Sequence, residues 1–175
     1  MSWVIGNWYL SMADMQKNAK EIYDYFSIRN WTDNAIAGIL GNMQSESHCN
    51  PGVWQGLKEG NYSGGFGLVQ WTPATNYTNW AKSNGYEITD PIGQLQWIDE
   101  LSESKGQWIP TASYNISWSD FKTSEESPEY LASAFLKNFE RAGTEVESDR
   151  RSQAQDWYEW ISENKGVYIV RFVPA

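Results

Sequence analysis

Apolar residues recur along most of this chain at three- and four-residue spacing, the period of helices that bury one face. Met15, Ala19, Ile22, Tyr23 and Phe26 form the first such face, which runs to about Ser27. Ser11-Met12-Ala13-Asp14 is a capping-box-like start for it. Thr32 caps a second helix with the stripe Ile36, Ile39, Leu40 and Met43, and Asn50-Pro51-Gly52 is the turn signal that stops it. Residues 53–71 read instead as an irregular β-hairpin or ribbon. Its turn falls in Lys58-Glu59-Gly60-Asn61, and Gly64, Gly65 and Gly67 lie in the returning half.

Three further helices open on the same device, a capping residue followed by proline at the first helical position. Thr72-Pro73 precedes Tyr77, Trp80 and Ala81, and that helix stops near Asn84-Gly85. Asp90-Pro91 precedes Ile92, Leu95, Ile98 and Leu101, and Ser127-Pro128 precedes Leu131, Ala132, Phe135, Leu136 and Phe139. A last helix is predicted from about Asp149 to Ser162, burying Ala154, Trp157, Tyr158 and Ile161. The expected fold class is α+β, predominantly helical with one small β-element. Residues 1–162 form the predicted domain. Residues 163–175 are expected to be either a final strand or the start of a linker to a further domain.

The stripe of the second helix, continued by three and four, lands on Glu46 and Ser47. A carboxylate there loses solvation on burial and faces the carbonyls of a helix C-terminus. Both effects favour its protonated form, which suits a general acid. The plain alternative is a helix-ending Glu turned to solvent or paired with a basic residue. Across from it, the glycines of the ribbon allow close approach of a ligand. Gln70 offers an amide, and Trp71 and Trp54 offer ring faces. An acid opposite such a ribbon suits a chain of hydroxylated sugars, whose bridging oxygen it would protonate.

Glu46-Ser47, Asn50-Pro51, Gly65-Phe66-Gly67-Leu68-Val69-Gln70 and Phe139-Glu140-Arg141 together resemble the lysozyme domain of bacteriophage tail proteins. The likeness is to tail-knob hydrolases of short-tailed phages and, more distantly, to goose-type lysozymes and soluble lytic transglycosylases. It runs from about Met12 to Ile161. The resemblance implies a lysozyme-like fold and cleavage of the β-1,4 bond between N-acetylmuramic acid and N-acetylglucosamine, with Glu46 as the acid. It also implies peptidoglycan glycan strands as substrate, a place at the tail tip of a virion, and other tail proteins or a C-terminal domain as partners. Goose-type lysozymes carry an Asp on the ribbon and another after the Gln, whereas this sequence has Asn61 and Trp71-Thr72.

The second catalytic group is therefore open. Glu59, on the ribbon turn, is the candidate base. Ser63, Gln70 and Thr72 are candidates to hold water or substrate, together with Phe66, Gly67 and Trp71. Glu140 is the other carboxylate in view, expected mainly to be paired with Arg141 or another base, with Phe139 packed beneath the cleft. Without a second carboxylate, Glu46 alone can serve a lytic transglycosylase, in which the sugar's own 6-hydroxyl attacks. An inactive glycan-binding or structural module is the reading from another class.

Composition narrows the field further. A net charge of −9 with thirteen basic residues in 175 argues against nucleic acid, and it requires delivery to an anionic wall by means other than charge. One His and one Cys supply neither a zinc site nor a convincing Cys–His dyad, although His48 and Cys49 are neighbours. No cofactor is implied. No apolar run spans a bilayer, no signal peptide opens the chain, and a single Cys makes no internal disulfide. Eleven Trp, ten Tyr and six Phe make an aromatic core the expectation.

Overall fold

The computed structural model describes residues 3–141 and 147–165. Seven α-helices occur among them: α1 Met12–Ser27, α2 Asp33–Ser47, α3 Thr75–Ser83, α4 Pro91–Gln96, α5 Trp118–Lys122, α6 Pro128–Phe135 and α7 Glu147–Asn164. π-helical turns extend α4 over Trp97–Leu101 and α6 over Leu136–Glu140. Predicted caps hold where side chains reach the first-turn N–H groups. Ser11 accepts from Asp14, Thr32 from Ala35, Asp90 from Ile92 and Ser127 from Tyr130. Thr72 does not cap α3, which begins at Thr75 behind Ala74; its hydroxyl donates instead to the Gln70 carbonyl at 2.9 Å. The short α5, capped by Ser117, has no counterpart among the predicted helices.

α2 is buried nearly all round and packs against α7, α6, α1 and α5. Two glycines make that possible. A Cβ on Gly38 would lie 2.9 Å from Leu131 Cβ in α6, and one on Gly41 would lie 2.5 Å from the Arg150 carbonyl oxygen in α7. Asn42, also buried, donates from its amide to the Gly38 and Ala132 carbonyls and so ties α2 to α6. The aromatic core lies beside this helix group: Trp31, Trp108, Trp118, Phe121, Phe135 and Phe139 are all buried and in ring contact.

The ribbon is not a β-hairpin. Among the described residues its pairing reduces to two isolated antiparallel bridges, Trp54 with Phe66 and Phe66 with Trp71. The reason is local: Gly56, Leu57, Gly60, Gly67 and Gln70 all have φ between 48° and 78°, outside the β region that a regular ladder needs. Side chains take over ladder bonds. Gln55 Oε1 accepts from Gly65 N, and buried Gln94 accepts from Leu68 N while donating to the Pro51 and Ile88 carbonyls. A Cβ on Gly67 would meet Gln94 Oε1 at 2.6 Å, so glycine at 67 makes room for this brace. Residues 163 and 164 complete α7, and 166–175 lie outside the described residues, so the expected final strand or linker falls beyond them.

Two phenols packed against the helices give the fold an alkaline limit. Burial, then the charge of Asp33, pushes the Tyr23 pKa up to about 12. Burial likewise pushes Tyr25 up to about 12, against the lowering effect of Arg29. Unfolded phenols ionise near pH 10, so their contribution is complete below about pH 10 and is lost as pH rises towards about 12. Melting temperatures recorded across that window should fall steeply. A flat profile would show that these rings are not held as described.

Candidate active site

Glu46 lies in the last turn of α2, where the apolar stripe ends. Ser47 fixes that turn to the ribbon: it is fully buried, and its hydroxyl bonds both Met43 O (3.0 Å) and Leu68 O (2.8 Å). His48 ends the helix in the left-handed region. Asn50 then pins the N-terminal segment, donating to the Gly6 and Trp8 carbonyls and accepting from Gly6 N. The Glu-Ser and Asn-Pro elements are thus the joints that hold three segments around one groove.

That groove has a volume of about 380 Å³, within the range of sites for small ligands. Residues 53–56 and 69–72 of the ribbon line it, together with Asn76. Glu46, Gln107, Phe139, Glu140 and Arg141 also line it, as does Tyr9. The π-helical turn after α6 delivers Phe139 and Glu140, and Arg141 stops it in the left-handed region at φ 54°. Arg141 donates to the Gln107 carbonyl, and Gln107 returns a bond to Phe139 O at 2.7 Å. Behind the groove, Arg150 of α7 donates from Nη2 to Glu46 Oε1 at 2.6 Å, their side chains 3% and 19% exposed.

Among the residues singled out from sequence, Glu46, Gln70, Trp71, Thr72 and Glu140 line this groove together. Glu59 and Ser63 are exposed on the ribbon turn, outside its lining. Phe66 and Gly67 are buried, also outside the lining. Gln70 spends its amide N–H groups on Val53 O and Gly67 O, bracing the ribbon. Trp71 stacks on Tyr77 at 4.5 Å and meets the edge of Trp97, and Trp54 packs on Phe66. Both indoles are almost wholly buried, so little of either ring is left for a sugar to cover. Tyr9, half exposed and in ring contact with His48, offers more face; it was missed because it lies outside every periodic segment.

The Cys–His alternative finds no support. Cys49 is buried, and burial pushes its thiol pKa far up, away from the reactive thiolate. Asp99, another buried carboxylate, takes the Trp31 indole N–H at 3.0 Å and Lys122 at 3.0 Å, a structural set outside the groove lining. No group of His, Cys, Asp and Glu suited to a metal occurs among the described residues, and no described helix is long and apolar enough to cross a membrane.

The sequence model of the phage tail lysozyme family matches residues 17–161. The chain belongs to that family. This tail lysozyme is also 44% identical over 168 residues to Morphogenesis protein 1 of Bacillus phage B103, an alignment covering 95% of the chain and 46% of the relative. It therefore spans about half the length of the curated relative it matches. Lysozymes degrade peptidoglycan, and membership of this family supports a peptidoglycan-degrading function in the broad sense.

Proposed function

We propose that this tail lysozyme is a muramidase, hydrolysing the β-1,4 bond between N-acetylmuramic acid and N-acetylglucosamine with Glu46 as general acid. One observation carries the reading: a largely buried carboxylate at the end of the central helix lines one groove together with residues 69–72 of the ribbon. A glycan laid along that groove presents its bridging oxygen to Glu46. Protonation there lets the C1–O bond break with its electron pair leaving on the oxygen. Glu140 is the other carboxylate lining the groove, and we assign it to the attacking water in place of Glu59. Attachment to a virion would bring this acidic enzyme to an anionic wall, with other tail proteins or a further domain as its partners.

A lytic transglycosylase is the second reading. It is favoured by the fact that the ribbon contributes no carboxylate to the groove lining. Digestion of purified sacculi in H2 18O, followed by mass spectrometry, separates the two. Hydrolysis should give new reducing muramic acid ends carrying the heavy oxygen. Unlabelled 1,6-anhydro ends would transfer the assignment to the transglycosylase, and intact glycan would reject both.

A further inference from the structure

Arg150 occupies an unusual position for a cation. It falls on the buried stripe of α7 with Ala154, Trp157 and Ile161, at spacings of four, three and four. Its placement is set by backbone packing: at Gly41, α2 approaches so closely that a Cβ would lie 2.5 Å from Arg150 O and 2.8 Å from Ala154 N. The guanidinium thus reaches the carboxyl group of Glu46 from the side of the core, while the same carboxyl group lines the groove.

We propose that Arg150 is a positioning residue that determines which oxygen of Glu46 delivers the proton. This rests on Glu46 being the acid. A guanidinium N–H can only donate, so the oxygen that faces it must accept. In the protonated acid the carbonyl oxygen is the better acceptor, so it takes this bond at Oε1 and the O–H is carried by Oε2. The proton passes from Oε2 to the bridging oxygen, and the C1–O electron pair leaves with that oxygen. Water gives its hydroxyl to C1 and its proton to the base. The carboxylate that remains is held by the charge-assisted bond from Arg150, so the acid's ionised product is stabilised where it forms.

Other titratable groups share the groove or the helix end with Glu46. Glu140 and Arg141 line the groove from the π-helical turn, Tyr9 lines it from the N-terminal segment, and His48 follows two residues on. Burial and the helix C-terminus favour the protonated acid, whereas Arg150 favours the carboxylate. Removing the Arg150 charge should therefore move the titration of Glu46 upwards. A general acid works protonated, so the alkaline limb of activity should move up with it.

The test compares Arg150→Met and Arg150→Lys in the full chain, by pH–rate profiles on purified sacculi and by carbon NMR titration of the Glu46 carboxyl. Arg150→Met should lose about ten- to a hundredfold in kcat with little change in KM. Its alkaline limb and its Glu46 titration should both rise by about one pH unit or more. Arg150→Lys should lose rate but leave the limb near its original place. An Arg150→Met enzyme with an unmoved limb and titration would overturn the proposal. If that variant does not fold, the unsubstituted protein decides: the nitrogen resonances of the Arg150 guanidinium should follow the Glu46 titration, and indifference to it would be equally fatal. Lysis retained by Glu46→Gln would instead sink the reading of Glu46 as the acid. Inactive Glu46→Gln beside an unmoved Arg150→Met profile would sink this inference alone.

Discussion

Replacing Glu46 by Gln should lower the rate of peptidoglycan cleavage by about 10²- to 10⁴-fold, the usual loss when a positioned acid is removed. The amide fills the same space and can still accept from Arg150, so the fold survives. The ion pair makes the change less innocent than a surface substitution. A hydrogen bond between charged groups becomes one to a neutral amide, and a loss of about 1–2 kcal/mol in unfolding free energy is expected. Activity should therefore be assayed well below the melting temperature of the variant. Glu59→Gln is the natural control, because that carboxylate is exposed and outside the groove lining. It should retain full activity. Wild-type lysis by Glu46→Gln, or inactivity of Glu59→Gln, would force the acid–base pair to be reassigned.

The largest effect on stability should come from one methyl group, in Gly41→Ala. In an exposed helix this change gains up to about 1 kcal/mol from propensity. Here the new Cβ would lie 2.5 Å from a backbone oxygen and 2.8 Å from a backbone nitrogen of α7. Neither neighbour is the end of a flexible side chain, so the two helices must separate. Overpacking of this kind costs about 1–3 kcal/mol and occasionally more, which outweighs the propensity gain. Separation also pulls Arg150 from Glu46, so kcat should drop together with the urea midpoint. A variant as stable as the parent, with full activity, would show that α2 and α7 do not cross as tightly as the structure has them.

Much of the architecture was legible because helix signals are local. Ser11, Thr32, Asp90 and Ser127 bond N–H groups two or three residues away, and those bonds are present as expected. Thr72 carries the same signal but caps nothing, since its hydroxyl meets a nearer carbonyl. The expected hairpin is not borne out beyond two isolated bridges, because glycine-rich, aromatic-flanked sequence suits both a strand and a string of turns. Gln94, 26 residues from Leu68, supplies the bond that a neighbouring strand would otherwise make.

The proposed site residues divide along the same line. Glu46 stands out in the sequence because a carboxylate ends an apolar stripe, and Arg150 interrupts the stripe of α7 in the same way. In the sequence by itself that interruption carries little weight, since one charged residue at a helix start is ordinarily exposed. The sequence alone determined six of the seven helices, the caps at Ser11, Thr32, Asp90 and Ser127, and the helix end at which the carboxylate lies, because each depends on atoms a few residues apart. Only the tertiary structure decided that Glu46 meets Arg150, that Glu140 shares its groove and that Glu59 does not. Those relations are set by close backbone approaches between distant segments, where a glycine at 41 or a serine at 47 acts through what it touches.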